Sequence, residues 1–225
     1  MIIRPKPPSA PQKDGPQREQ AYQRLRQMLI LHQAPEGKRL NEEAWAKRLQ
    51  VNRAALREAF ARLEAEGLIQ KGPLPGYFVP TLSRDDVAEI VEVRIMLEGG
   101  AIDRICRRGL NTRENLQPMR GACDQLGELA KEGDYAAVAA ADRSFHENLV
   151  AAAQNHRLSL LYQRAPLPII PPEVACGEEW LTRVTQTLEE HRMIVDLIEE
   201  AEVVKAQSML RLHLRERFLI PLRMV

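Results

Sequence analysis

The fold of the amino-terminal part is decided by the stretch Leu40–Val79, which reads LNEEAWAKRLQVNRAALREAFARLEAEGLIQKGPLPGYFV. Helical patterns over 42–49 and 53–66 are separated by a short turn and end at Gly67. In the second pattern, apolar residues recur at positions 56, 59, 60 and 63, which is the spacing of one helix face. A short helix, a tight turn and a second helix with basic residues in its first turns predict a helix-turn-helix that enters the major groove of DNA.

A hairpin and one further helix extend this motif. Strands predicted at 68–71 and 77–79 flank a loop of glycine and proline. Before the motif, an amphipathic helix is predicted from Gln17 to about residue 33. Three helices and a hairpin make a winged helix-turn-helix domain over residues 17–80, followed by a short connector. Residues 1–16 are rich in proline and are expected to form a disordered arm.

Charge is divided unevenly along the chain. Residues 1–80 contain 14 Lys and Arg against 8 Asp and Glu, whereas residues 81–225 contain 18 against 23. A basic amino-terminal module joined to an acidic remainder is typical of a DNA-binding head with a separate body. A chance distribution of surface charge is the alternative interpretation.

Cysteine content and hydropathy exclude two classes of protein. Cys106, Cys123 and Cys176 are odd in number and widely spaced, which does not fit a disulfide framework. No apolar run approaches the roughly 20 residues needed to cross a bilayer, and the amino terminus lacks the apolar core of a signal peptide. We therefore expect a cytoplasmic protein that does not insert into membranes.

Residues 81–225 show helical patterns almost throughout and predict an all-helical domain. Gly109 and Gly133 end two of the helices, and Asp134 begins the next one. Four prolines between residues 166 and 172 indicate an unusually apolar loop. The whole chain is thus mainly α, and its body is expected to be an antiparallel six-helix bundle with helices at about 84–108, 112–132, 135–154, 155–164, 177–199 and 201–219.

Three of the five histidines lie on different helices of this predicted bundle, each level with the apolar face of its helix. Asp142 and His146 are four residues apart and project from the same side of one helix, while His191 and His213 belong to the last two helices. Imidazole and carboxylate groups are ligands for divalent transition metals. The alternative is that these are core histidines satisfied by hydrogen bonds, since the sequence does not fix the rotation of each helix.

Together, the two parts of the chain resemble the GntR superfamily of transcription regulators, in the FadR branch whose effector domain is called FCD. The residues that carry this resemblance lie between about 20 and 220, and their joint order is more specific than any single motif. In the head they are Leu40-Asn41-Glu42, Trp45-Ala46, Val51-Asn52-Arg53, Leu56-Arg57-Glu58-Ala59, Leu63, Glu66-Gly67-Leu68-Ile69 and Gly76-Tyr77-Phe78-Val79. In the body they are Glu92, Arg94, Leu97, Glu98, Asp142, Phe145, His146, Asn155, Glu190-His191 and His213.

The resemblance implies a ligand-responsive transcriptional regulator, most commonly a repressor, that senses a small carboxylate metabolite. Such a protein acts as a homodimer on a pseudo-palindromic operator of double-stranded DNA. The implied metal is zinc or nickel, with ligands Asp142, His146, His191 and His213. Arg94 would bind the effector, although an ion pair with Glu92 or Glu98 is an equally good interpretation. The implied DNA-binding positions are Asn52, Arg53, Ala54, Ala55, Arg57, Lys71 and Gly76.

The chain departs from the family pattern in three places. Residues 52–55 read Asn-Arg-Ala-Ala where the family usually has Ser-Arg-Thr-Pro. These alanines cannot donate to phosphate as a threonine would, but they can contact a thymine methyl group. The wing at 71–76 has one basic residue and two prolines, and residues 200–202 replace the usual glycine–aspartate turn. Six body helices and a short connector indicate the VanR-like subgroup.

Three other functions are weighed against this one. The ion itself could be the effector of a metal-responsive regulator. A histidine–carboxylate metal site can also activate water in an enzyme, but no general base is identified beyond Glu147 and Glu190, and an enzyme would not explain the head. We therefore expect no catalysis. The third possibility is a DNA-binding protein without any effector.

Overall fold

The computed structural model describes residues 15–30, 34, 36–72, 75–81, 83–163 and 178–218. Most of the predicted arm, the apolar proline loop and Cys176 lie outside these residues. The chain divides into two compact units, Met1–Pro80 and Thr81–Val225.

The amino-terminal unit is a winged helix in its described part. A three-stranded antiparallel sheet in the order β1-β3-β2 accompanies the helices. The predicted helices and hairpin are confirmed, whereas strand β1 was not predicted, because two residues carry no periodic signal. The elements are α1 (Gly15–Ile30), β1 (Arg39–Leu40), α2 (Glu42–Leu49), α3 (Arg53–Ala65), β2 (Gln70–Lys71) and β3 (Tyr77–Phe78).

Local side-chain hydrogen bonds set the turn between α2 and α3. The Asn41 side chain accepts hydrogen bonds from the backbone of Glu43 and Ala44 at the start of α2. Gln50 ends that helix in the left-handed region, with φ of 56°. Asn52 then caps α3 by accepting from the Ala55 amide at 2.8 Å. These caps fix where α3 begins, and its apolar face packs in a core that includes Leu25, Leu56, Phe60 and Leu63.

The carboxyl-terminal unit is a helical bundle, as predicted, with six helices in its described part. Helix α5 packs against α6 and α8, and α4 packs against α6 and α9. The core joins Val91, Ile102, Phe145, Ile194 and Leu210 from four of these helices. The helices are α4 (Arg84–Arg107), α5 (Arg113–Glu132), α6 (Tyr135–Ala152), α7 (His156–Gln163), α8 (Glu178–Glu199) and α9 (Val203–Phe218).

Capping interactions define several ends of the bundle helices, and those at Gly133 and Asp134 were predicted. Ser83 and Asp86 form a capping box at the start of α4. Gly133 ends α5 with φ of 71°, and Asp134 accepts a hydrogen bond from the Ala137 amide at the start of α6. Between α8 and α9, Ala201 occupies the left-handed region with φ of 59°. Across the described ranges, none of the helices is both long enough and apolar enough to cross a membrane.

Candidate metal centre and DNA-binding surface

Four buried side chains from three helices of the bundle converge on one point. Asp142 and His146 come from α6, His191 from α8 and His213 from α9, and their ligand atoms all lie within 4.8 Å of one another. Nε2 of His213 lies 3.2 Å from Nε2 of His191 and 3.3 Å from Nε2 of His146. Nε2 of His191 lies 3.6 Å from Oδ1 of Asp142. The structure thus brings together the four residues that the sequence singled out.

Helix packing explains why these rings meet. One helical turn separates Asp142 from His146, so that both face the interior of the bundle. The Phe145 ring is fully buried and stacks on His191 with 3.7 Å between ring centroids and 8° between planes. This stacking restricts the rotation of the His191 ring and so helps to fix the direction of its nitrogen atoms.

Two carboxylates hold the outer nitrogens of the cluster. Nδ1 of His146 lies 2.7 Å from Oε2 of Glu98, and Nδ1 of His213 lies 2.7 Å from Oε2 of Glu190. An ionised carboxylate only accepts hydrogen bonds, so each Nδ1 carries a proton, and in the neutral ring each Nε2 then presents a lone pair to the centre. Lone pairs 3.3 Å apart repel each other unless a cation lies between them. This is the arrangement that outer carboxylates produce around metal-binding histidines.

The charge state of Glu98 follows from its surroundings. Burial by itself raises the pKa of this carboxyl group, but the Arg94 charge, together with His146 and Tyr162, lowers the pKa below its usual value. Arg94 Nη2 lies 2.5 Å from Oε1 of Glu98, and the Tyr162 hydroxyl donates to the same oxygen at 2.9 Å. Burial also keeps the pKa of Tyr162 well above its ordinary value, so its hydroxyl remains a donor. Glu98 is therefore an ionised acceptor for His146.

The separations between the ligand atoms fit a transition-metal ion. Zinc binds imidazole nitrogen at about 2.0–2.1 Å, which places neighbouring ligand atoms about 3.0 Å apart in an octahedral shell and about 3.4 Å apart in a tetrahedral one. The observed values of 3.2, 3.3 and 3.6 Å lie close to this range. Three imidazoles and one carboxylate also match the ligand preferences of Zn²⁺ and Ni²⁺.

Arg94 lies beside this cluster rather than in it. It is fully buried, forms an ion pair with Glu98 and donates through Nε and Nη2 to the Tyr162 hydroxyl. The ion pair with Glu98 is one of the two interpretations that the sequence left open. Within the described part of the chain, Nη1 of Arg94 is buried without a hydrogen-bond partner. A buried cationic donor without an acceptor is costly, which leaves it available for an oxyanion.

The contacts of three groups at the site were not predicted from the sequence: those of Glu98 and Glu190 with histidine, and that of Tyr162 with Glu98. Glu98 and Glu190 belong to the motifs that carry the family resemblance, but their hydrogen bonds to histidine could not be foreseen from spacing. Tyr162 comes from the short helix α7 and is 64 residues from Glu98. An isolated tyrosine in a short helix gives no sequence signal for such a contact.

The predicted DNA-binding cations are exposed on the surface of the amino-terminal unit. The side chains of Arg53, Arg57 and Lys71 are 63%, 68% and 68% exposed. Ala54 is exposed beside them, but Ala55 has only 1% of its surface accessible. The Ala55 methyl group packs in the core and its amide is bonded to Asn52, so neither group lies on this surface.

Backbone geometry explains the glycine at the base of the wing. Gly76 has φ of 130°, and a Cβ added there would lie 2.7 Å from Nε of Arg39. A side chain would therefore strain the backbone and also displace Arg39. Glycine at this position supports the turn itself, in addition to any contact with DNA.

Both units of the chain match models of known protein families. A model described as "Bacterial regulatory proteins, gntR family" matches residues 17–79. A model described as "FCD domain" matches residues 89–216, more than half of the chain. These matches place a GntR head before an FCD body.

Curated relatives are regulators as well. An uncharacterised HTH-type transcriptional regulator from the TAR-I ttuE–ttuC' intergenic region of Agrobacterium vitis is 34% identical over 134 residues, which are 59% of this chain and 78% of the relative. A probable D-xylose utilization operon transcriptional repressor from Paenarthrobacter nicotinovorans is 29% identical over 179 residues, which are 80% of this chain and 77% of the relative. Both are named as regulators of transcription.

Solved structures share the fold. The E. coli protein McbR/YncC aligns with a TM-score of 0.78 and 16% identity, covering 92% of this chain and 97% of that one. A GntR regulator from Rhodococcus sp. RHA1 aligns with a TM-score of 0.69 and 21% identity, covering 93% and 99%. At such identities the likeness concerns the fold alone. With both domains matched in order, the chain belongs to the FCD-containing branch of the GntR family of bacterial transcriptional regulators.

Proposed function

We propose that this regulator binds a specific DNA operator as a homodimer and represses transcription until a small carboxylate metabolite binds at a metal-containing pocket in its body. The observation that carries the proposal is the inward-facing cluster of Asp142, His146, His191 and His213, in which carboxylates orient His146 and His213. A DNA-binding head without a sensor would not need such a costly buried group of polar side chains.

The metal would be Zn²⁺ or Ni²⁺, held by the four side chains of the cluster. When bound, it supplies a positive charge to which an anionic ligand can bind directly. Glu98 and Glu190 keep the Nε2 lone pairs of His146 and His213 turned toward the ion. Phe145 closes one side of His191 and excludes water from that ring.

The effector would be an anion with carboxylate oxygens. Arg94 is joined to the cluster through Glu98 and His146, and its buried Nη1 lacks an acceptor among the described residues. A second oxygen of the effector would satisfy this donor while the first one contacts the metal. Binding changes DNA affinity only if the ligand favours one conformation of the dimer over another.

The operator would be read by the start of α3. Arg53 and Arg57 are long, exposed and located in its first turns, and they are suited to guanine edges or nearby phosphates. Asn52 uses its carbonyl oxygen for the cap, and its Nδ2 donates to Oε1 of Gln17 at 3.2 Å. The second N–H of Nδ2 is the part that can donate to DNA. Ala54 can contact a thymine methyl group, and Lys71 with Gly76 would place the wing near the backbone.

The outer faces of α4 and α9, which expose several apolar side chains, are the surface that we assign to the homodimer. These helices pack together where Gln207 donates to the Gly99 carbonyl. Their outer faces expose Val93 and Met96 on α4, and Val204 and Leu212 on α9, with 66% and 75% exposure for Met96 and Val204. A second copy related by a two-fold axis would cover exposed apolar side chains of both helices. The double variant M96E/V204E should be monomeric in light scattering, and a dimer of unchanged stability would reject this surface.

Operator binding with and without ligand tests the main proposal. The operator is first selected from random DNA with the wild-type chain. Its affinity is then measured for chelator-stripped protein, for protein with Zn²⁺, and for Zn²⁺-loaded protein with a panel of small carboxylates. We expect selection of a pseudo-palindrome and a carboxylate that weakens binding by about 5- to 150-fold, the usual range of allosteric coupling. If no carboxylate changes operator affinity but Zn²⁺ alone does, the ion itself is favoured as the effector.

The ion-as-effector alternative has one specific observation in its favour. The three histidines come from α6, α8 and α9, and the Nε2 lone pairs of His146 and His213 repel each other without a cation. Binding of an ion would therefore draw three helices together by itself. Weak, reversible metal binding with a metal-dependent footprint would distinguish this alternative from a permanently bound ion.

A further inference from the structure

The two arginines of the reading helix are paired with acids of the neighbouring helix. Arg57 donates through Nε to Oε2 of Glu42 at 2.8 Å, and Nη2 of Arg53 lies 3.4 Å from Oε2 of Glu43. Glu42 and Glu43 form the first turn of α2, next to the first turns of α3. The third predicted DNA-binding cation, on the wing, is also paired with an acid of its own unit.

Stability of the fold does not explain these pairs. The side chains of Arg53 and Glu43 are 63% and 81% exposed, and those of Arg57 and Glu42 are 68% and 36% exposed. Ion pairs at such exposure contribute little to folding. Acids in a first helical turn are favoured by the helix dipole, but the dipole does not require that both of them face the arginines of the next helix. A role in DNA recognition explains the pairing better.

We propose that Glu42 and Glu43 are specificity-determining residues of the head, which compete with DNA phosphates for Arg57 and Arg53. This inference rests on the proposed DNA binding. Phosphate contacts supply essentially all of the affinity for unrelated DNA. An arginine that is already held by a carboxylate gains less from a phosphate, so the two acids lower binding to DNA in general.

A correct base edge is less affected by the same pairing. The hydrogen bond to Glu42 uses Nε of Arg57, and a bidentate contact with guanine can be made by the two terminal nitrogens. The carboxylate would then hold the guanidinium in place for the base while it repels the backbone. Arg53 is near Glu43 through Nη2, which carries two hydrogens, so one of them is left for a base. The pairing therefore raises the ratio of operator affinity to general affinity, although it lowers both.

Charge-neutral variants of each acid test the proposal. We would compare Glu42→Gln and Glu43→Gln with Glu58→Gln, a matched control whose acid pairs with Arg18 of α1 at 2.9 Å, away from α2. Affinity is measured by fluorescence anisotropy for a random duplex and for the selected operator between about 50 and 200 mM salt. Thermal unfolding checks that the cap of α2 is kept.

We expect Glu42→Gln and Glu43→Gln each to bind the random duplex on the order of three- to tenfold more tightly, with a salt slope steeper by about one. Operator affinity should rise less, so that the specificity ratio falls. Glu42→Asp keeps the charge for the helix dipole but shortens the reach to Arg57, and it should behave like Glu42→Gln.

Two results would overturn the inference. If Glu42→Gln and Glu43→Gln bind the random duplex no more tightly than Glu58→Gln does, the two acids do not compete with phosphate. If the ratio of operator affinity to random-duplex affinity is unchanged, the two acids act only through general electrostatics and do not determine specificity. If the wild-type chain selects no operator at all, the proposed function fails instead. The two failures are therefore distinguishable.

Discussion

Replacing Glu190 with glutamine tests the structural basis of the metal centre. Oε2 of Glu190 lies 2.7 Å from Nδ1 of His213, and its Oε1 accepts a hydrogen bond from Gln186 at 2.9 Å. Glu190→Gln keeps the size of the side chain and removes its charge. The His213 ring then loses the carboxylate that fixes the proton on Nδ1 and makes Nε2 a stronger ligand.

The expected loss can be estimated from comparable sites. Carboxylates that orient a metal-binding histidine typically contribute about 10- to 100-fold in metal affinity, or about 1.4–2.7 kcal/mol. The side chain of Glu190 is only 16% exposed, so water does not replace the lost charge. We therefore expect Zn²⁺ to bind at least about tenfold more weakly to Glu190→Gln.

Competition with a fluorescent chelator measures this affinity on metal-stripped protein. The control is Glu189→Gln, which removes the same charge from an exposed neighbouring residue of α8. Circular dichroism establishes that both variants keep the helical content of the wild type. An affinity of Glu190→Gln within twofold of the control would refute the role of the carboxylate, and with it the interpretation of the His213 tautomer.

Three further predictions concern the head, a turn and a buried thiol. Arg53→Ala should weaken operator binding by about 1–3 kcal/mol if this arginine reads a guanine, and an unchanged affinity in a gel-shift titration would rule that role out. Ala201→Gly should raise the free energy of unfolding by about 0.5–1 kcal/mol, because its φ of 59° is costly for an L-residue; a lower thermal midpoint would contradict this. Burial raises the pKa of Cys123 to about 12, so its thiol should resist maleimide at pH 8 in the folded chain and react after unfolding. Since the unfolded thiol ionises first, the same shift predicts that stability falls as pH rises above about 8.5. Rapid native labelling of Cys123 in peptide mapping would contradict its burial.

Local sequence signals predicted most of the fold. Gly133 and Asp134 were predicted from the sequence as ends of helices, because capping depends on residues close in sequence. Strand β1 escaped prediction because its pairing with β3 depends on residues nearly 40 positions away. Local signals therefore fix helix positions better than they fix the pairing of short strands.

The candidate site was predictable only in part. The spacing of Asp142 and His146 placed them on one helix face, but only packing decides whether His191 and His213 face the same point. The partners Glu98 and Tyr162 come from other helices and depend on the same packing. The burial of Ala55 could have been predicted from the sequence. It lies four residues before Ala59 and therefore on the buried face of α3, so it should not have been included among the DNA-binding positions.

The proposed metal centre requires that an ion bind between Asp142, His146, His191 and His213. Crystals of the chain grown with Zn²⁺ can be measured at the zinc absorption edge, where anomalous scattering locates the ion. We predict one peak per chain at about 2.0–2.2 Å from Nε2 of His146, His191 and His213 and from a carboxylate oxygen of Asp142. Anomalous peaks at other residues, with no peak between the four side chains of the cluster, would contradict the proposed metal centre.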